Sequence, residues 1–268
     1  MSLLRTGSLL SAPLTGFLLS GLLLSGCALQ PAQLAGNEEG LATDHTQQCV
    51  VLVHGLWRSA SAMGSIAEYL EQSRFQTVRF SYPSTELDIP SLAENYLAPA
   101  VEQCEKTGSH SVHLVTHSMG GIVARAYLQN HRLPGEGKVV MISPPNQGSE
   151  ISKNLGHLGW FKSLAGKAAT TLTEEGVMRE LKPFPEPVGV IAGYRSWSLW
   201  PESILPSPND GMVSVASMPL EGMDDYIEVE GGHAMLRFKE AVKFQVKAFL
   251  DYGHFEKSLP ESPLVGAR

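Results

Sequence analysis

A chain of 268 residues with 43% hydrophobic residues, 26 glycines and 17 prolines is long enough for one sizeable core, and its composition excludes a disordered or collagen-like protein. Its 20 basic and 27 acidic residues give a formal charge of -7, which offers no electrostatic grip on nucleic acid. No close Cys/His pair has metal-ligand spacing, and no motif below requires an organic cofactor.

Residues 1–26 stand apart from the core. Arg5 supplies a short basic start, and "LLSAPLTGFLLSGLLLSG" follows without a charge, ending at Cys27. A transmembrane helix is the alternative, but it needs about 20 apolar residues, and Pro13 with several Ser and Gly weakens that reading. "LSGC" at 24–27 resembles the bacterial lipobox, in which a small-residue signal end is cut before a cysteine that carries lipid. An ordinary signal peptide is the next reading. The resemblance implies a lipoprotein signal peptide over 1–26, lipidation of Cys27 and anchorage to a membrane of the bacterial cell envelope, facing periplasm or exterior. Residues 27–48, polar with Pro and Gly, then read as a tether to a domain at 49–253.

The domain alternates apolar runs with helical stretches. "CVVLVHG" (49–55) reads as a buried strand, 59–72 as a helix, and "FQTVRFSYP" (75–83) as a second strand. A helix is expected over 89–106, kinked or split by Pro99. "SVHLVTH" (111–117) is a strand, 119–131 a helix and 138–143 a strand. Strand and helix in turn, with short joins, predict a mostly parallel sheet with helices on both faces.

Residues 144–186 break this rhythm, with weak helical pieces and an exposed-looking Trp160-Phe161 pair, and read as a cap insertion over a site or as a loose surface excursion. Strands resume at 188–193 and 226–231, an amphipathic helix closes the domain at 234–253, and a mobile tail is expected over 254–268. After Cys27, an even pair remains in a compartment that permits disulfides. Cys49 opens one strand and Cys104 ends the helix leading into another, so both lie at one end of the sheet. A Cys49–Cys104 disulfide is expected, with two small buried thiols as the alternative.

Ligands of an open parallel sheet bind beyond the carboxyl ends of its strands. Ser118 stands there, in "SVHLVTHSMGG", either as a nucleophile on a strand–turn–helix elbow or as a plain helix N-cap. A hydroxyl needs a base and a group to orient that base. His233, in "EGGHAML" straight after the last strand, is the histidine placed to serve, and Asp210 in "SPNDGMVSVASM" is the acid preferred over Asp224 and Asp225, which stand at the wrong end of their strand. The backbone N–H groups of Leu56 and Met119 are the expected oxyanion donors, with His54 shaping the turn.

The segments "VVLVHGLWRSASAM", "VHLVTHSMGGIVAR", "ISPPNQGS", "NDGMVSVASM" and "GGHAML" together resemble an α/β-hydrolase of the bacterial lipase and esterase kind, over roughly 49–250. The resemblance implies an α/β-hydrolase fold, the Ser118, Asp210 and His233 triad, the Leu56 and Met119 donors, and no cofactor. Thr116 stands where the elbow pattern has glycine, and its side chain is expected to point aside from the helix start. Asn146 and Gln147 replace the charged or ring residues of a "TPHRGS"-like loop. The expected activity is hydrolysis of small-molecule or lipid carboxylic esters through an acyl-enzyme. Amide hydrolysis or acyl transfer by the same triad, and a non-catalytic envelope-binding lipoprotein, are the rivals.

Overall fold

The computed structural model describes residues 45–257 except 174, 175, 196 and 197. The signal-peptide, Cys27 and most tether expectations therefore lie outside the described residues. Six strands form one sheet: β1 (Gln48–Val53), β2 (Gln76–Arg79), β3 (Ser111–His117), β4 (Val139–Ile142), β5 (Val188–Tyr194) and β6 (Asp225–Glu230). Their spatial order is β2-β1-β3-β4-β5-β6, and every pairing is parallel.

The unbroken apolar run of β1 follows from this layout. Alternate side chains point to opposite faces, so Cys49, Val51 and Val53 enter one core while Val50 and Leu52 enter another. The first core is covered by α2 (Ile89–Leu92), a π turn (Ala93–Leu97), α3 (Ala98–Glu105) and α4 (Met119–Asn130). The second lies under α1 (Gly64–Gln72) and α7 (Glu240–Tyr252), where Ile66, Leu70, Val246 and Phe249 are fully buried. Burying a ring such as Phe249 contributes about 3 kcal/mol.

Pro99 disturbs its helix in a way the sequence leaves open. The π turn precedes α3, in whose first turn Pro99 sits, so the wider turn and the helix start together absorb the missing N–H. Asp88 caps the run by accepting from the Ser91 N–H at 2.8 Å. The Cys49 and Cys104 sulfurs are bonded, with Cα atoms 5.7 Å apart, and the bridge joins β1 to α3.

Several expected boundaries shift. The second strand stops at Arg79 because Tyr82 leaves the sheet edge to stack on His54, ring centroids 4.0 Å apart. The domain begins before residue 49: His45 is buried, stacked on Phe75 at 4.0 Å and 3.2 Å from the Asp251 carboxylate, so the tether does not extend to 48. Nor does a mobile tail start at 254. Phe255 is buried against Phe249, its N–H donates to Asp225 at 2.7 Å, and Lys257 pairs with Asp225 at 2.9 Å. Residues 258–268 lie outside the described residues.

The 144–186 segment carries α5 (Glu150–Leu155) and α6 (Gly159–Thr170), the latter broken at Gly166. Ile151, Phe161, Ala165, Ala169 and Leu205 make a small core of their own. Neighbouring residues on a helix face different ways, so the expected exposed pair divides: Trp160 is 58% exposed and Phe161 is buried. Among the described residues, no helix is long and apolar enough to cross a membrane.

Candidate active site

The turn between β3 and α4 puts Ser118 at φ 56° and ψ -129°, a conformation uncommon for a residue with a side chain. Its hydroxyl makes no capping bond to the helix. It points instead to His233 Nε2, 2.9 Å away. Close approach at the elbow needs Gly120, because a Cβ there would stand 2.6 Å from the Val53 and His54 carbonyl oxygens.

Thr116 differs from expectation. Its buried hydroxyl faces the Val140 carbonyl at 3.4 Å and lies 3.4 Å from where a Cβ on Gly121 would sit. The side chain thus lies beneath the helix start, next to Gly121, rather than aside from it.

His233 Nδ1–H donates to Asp210 Oδ2 at 2.6 Å, which leaves Nε2 as the acceptor facing the serine. Asp210 is fully buried, and its other carboxylate oxygen accepts the N–H groups of Met212 and Val213, each at 2.9 Å. Burial alone would raise its pKa, but His233 and these N–H donors outweigh it and hold the carboxyl below its ordinary value. The two loops also meet through their backbones, since the His233 N–H donates to the Asp210 carbonyl at 2.9 Å.

Asp224 and Asp225 are engaged at the far end of the sheet. Asp224 accepts from the Val188 N–H and Asp225 from the Phe255 N–H, both at 2.7 Å.

Neither the Leu56 N–H nor the Met119 N–H has a hydrogen-bond partner among the described residues. Both residues line the cleft that contains Ser118. The turn carrying Leu56 is fixed by its successor: Trp57, at φ 57°, donates its N–H to Ser84 Oγ at 3.0 Å. His54 shapes the same turn, donating from Nδ1 to the Gly55 carbonyl at 2.8 Å and accepting the Tyr82 N–H at 3.3 Å. Burial lowers its pKa, and its ring bonds within the turn rather than to the serine.

His117 escaped the sequence reading, hidden as the last residue of an apolar strand next to the serine. It is buried, its Nε2–H donates to the His233 carbonyl at 2.9 Å, and the two rings lie 4.7 Å apart. Burial holds it neutral, with a pKa well below the ordinary value. One side chain thereby ties the strand end that carries Ser118 to the His233 loop. Arg195 also carried no sequence signal. It lines the cleft, and its guanidinium lies across Gly211, where a Cβ would come within 2.1 Å of Nη2.

The cleft has a volume of about 400 Å³. Ile151, Phe161, Ala169 and Leu172 give it an apolar bank, supplied by the 144–186 segment. The exposed Trp57 indole, also on the cleft, donates to the Leu164 carbonyl at 2.9 Å and ties that segment to the β1 turn. Among the described residues, no group of three or more His, Cys, Asp or Glu side chains is placed to hold a metal ion.

The family model described as "Alpha/beta hydrolase family" matches residues 50–254. No curated protein sequence matches the chain. Among solved structures, the mature Bacillus licheniformis lipase BlEst2 is similar at a TM-score of 0.62 and 19% identity, over 78% of this chain and 93% of that one. A monoacylglycerol lipase from Paleococcus ferrophilus is similar at 0.52 and 15%, over 76% of this chain and 93% of the other. The Legionella pneumophila phospholipase PlaB is similar at 0.55 and 15%, over 70% of this chain and 53% of that one.

Proposed function

Since the chain belongs to the alpha/beta hydrolase family, we propose that it is a serine hydrolase that cleaves carboxylic esters through an acyl-enzyme. The observation that carries this reading is the 2.9 Å approach of Ser118 Oγ to His233 Nε2, with Asp210 buried behind the imidazole. Ser118 attacks the ester carbonyl while His233 takes its proton. The imidazolium that forms is stabilised by Asp210 and returns the proton to the leaving alcohol, and water then releases the acyl group by the same route. The Leu56 and Met119 N–H groups hold the oxyanion. Support for an ester as substrate comes from the apolar bank of the cleft and from the lipases that share the fold.

A fluorophosphonate probe tests this reading. Wild-type protein is labelled, Ser118→Ala is not, and the same variant loses ester hydrolysis by a factor on the order of 10⁶ in kcat. An unlabelled wild type, or a fully labelled variant, overturns it.

We also propose that the enzyme works at a bacterial envelope membrane, held by lipid on Cys27; the support is the "LSGC" segment and the uncharged run before it. Metabolic labelling with a fatty acid should mark the wild type and not Cys27→Ser.

A further inference from the structure

An oxyanion donor that is a backbone N–H takes its aim from the backbone on either side of it. For Leu56 that backbone is the turn from His54 to Trp57, and the turn stands against the nucleophile: a Cβ on Gly55 would come within 2.9 Å of Ser118 Cβ. Its floor is the start of α4, where a Cβ on Gly120 would meet the His54 carbonyl oxygen at 2.6 Å. Trp57 leaves the turn at φ 57°, which a residue with a side chain keeps only when its surroundings hold it.

The hold comes from residues 81–85, a segment that follows β2 and has no place in the sheet. Ser84 is buried, and its hydroxyl oxygen accepts the Trp57 N–H at 3.0 Å. Tyr82 grips the other side of the turn. Its N–H donates to His54 Nε2 at 3.3 Å, its hydroxyl donates to the His54 carbonyl, and the two rings stack. Ser81 Oγ accepts the Ala60 N–H at 3.0 Å. The segment thus bonds to the chain before and after Leu56 and leaves the Leu56 N–H itself without a partner among the described residues.

The segment is anchored in turn. The Glu86 N–H closes a turn on the Pro83 carbonyl at 3.1 Å, and the Thr85 carbonyl accepts the Lys167 N–H at 3.2 Å. A Cβ on Gly166 would stand 1.9 Å from the Thr85 oxygen, so α6 rests on this segment through a glycine. Residues 81–85 are therefore held between the turn that carries Leu56 and a helix of the 144–186 segment.

Resting on the serine-hydrolase reading, we propose that Ser84 is a positioning residue for the reaction. Through the Trp57 N–H it fixes the peptide that follows Leu56, and so keeps the Leu56 N–H aimed where the carbonyl oxygen of the substrate becomes an oxyanion. Tyr82 does the same for the peptides before Leu56, through His54. Such a donor is worth more to the oxyanion than to the neutral ester, so loosening it lowers kcat and leaves KM nearly unchanged. The same oxyanion forms when the acyl-enzyme is made and when water breaks it, so both steps depend on Ser84.

The test compares hydrolysis of 4-nitrophenyl butyrate with inhibition by 1,1,1-trifluorooctan-2-one, a ketone whose adduct with Ser118 carries the oxyanion. Ser84→Ala lowers kcat by about tenfold, keeps KM within about twofold, and weakens the ketone by about the same factor as kcat. Ser84→Thr keeps a hydroxyl acceptor and retains most of the activity. Tyr82→Phe lowers kcat and ketone affinity together, and keeps the inference open to refutation if Ser84→Ala does not fold. An unchanged kcat in folded Ser84→Ala overturns the inference. So does a loss confined to KM, or a fall in kcat with undiminished ketone affinity. Fluorophosphonate labelling separates the two levels. A labelled, active wild type with any of these outcomes sinks the role of Ser84 alone, whereas an unlabelled wild type that hydrolyses no ester sinks the serine-hydrolase reading as well.

Discussion

On one bank of the cleft, Ser118 and His233 sit just beyond strand ends, and Asp210 lies in the loop after β5. They are tied together by the His233 contacts to Ser118 and Asp210, the His233 N–H to the Asp210 carbonyl, and the His117 bond to the His233 carbonyl. On the other bank, Phe161 and Ala169 belong to a helix with no place in the sheet, broken at Gly166, and share a core of five buried residues. Among the described residues, hydrogen bonds tie that helix to the rest from the Trp57 indole to the Leu164 carbonyl at 2.9 Å and from the Lys167 N–H to the Thr85 carbonyl at 3.2 Å. The proton transfers proposed for Ser118 and His233 need distances held to tenths of an ångström, and register with a parallel sheet provides that. A surface that only accepts an acyl chain needs apolar area, and a small satellite core suffices.

Damage to the sheet should therefore be felt through the whole molecule. The largest effect is expected at the disulfide, which closes a span of 55 residues: Cys104→Ala should lower unfolding free energy by about 4 kcal/mol, read from the urea midpoint. A urea shift near zero would mean that this tie is redundant. Next comes His117. His117→Leu removes the donor to the His233 carbonyl and should lower kcat by about 10- to 100-fold with little change in KM. His117→Gln, which restores an N–H donor, should recover part of the loss; no recovery would make the residue a mere space-filler.

Acid should weaken the sheet side as well. His113 lies in β3, bonded to Gln48 at 3.1 Å, and burial pushes its pKa down to about 3. The unfolded chain takes up that proton below the ordinary histidine value, so stability falls as pH drops from about 6.5 toward 3. From His113 alone the loss at pH 5 is about 2 kcal/mol relative to pH 7. His54 and His117, also held neutral by burial, add in the same direction. Denaturant titrations at the two pH values check this, and His113→Gln should flatten the dependence. The smallest expected effect lies on the other bank. Trp57→Phe removes the indole bond to Leu164 and should cost under about 1 kcal/mol of stability. The same change should lower the preference for long over short acyl esters by about threefold. A large loss of global stability would show that the insertion is part of the main core.

The strands and the order of the triad were legible in the sequence because they rest on local patterns. Apolar runs such as "CVVLVHG" follow from burial on both faces, and Gly120 after Ser118 follows from the crowding of helix start against strand end. Misplaced boundaries all involve contacts distant in the chain. Tyr82 leaves the sheet for His54, His45 meets Asp251, and Phe255 fills the space beside Gly189. The Trp160-Phe161 pair divided because the two faces of a helix that short meet different surroundings.

The parallel architecture and the position of Ser118 at a strand end were readable from the sequence by itself, because periodicity and turn chemistry act over a few residues; Asp210 and His233, singled out by their places after strands, are hydrogen-bonded in line with it. Tertiary structure alone decided that His117 holds the His233 loop and that Thr116 lies under Gly121. It also decided that Arg195 lies across Gly211 and that Ile151, Phe161 and Leu172 line the same cleft as Ser118. These depend on side chains from segments distant in the chain meeting in space, which no local pattern encodes.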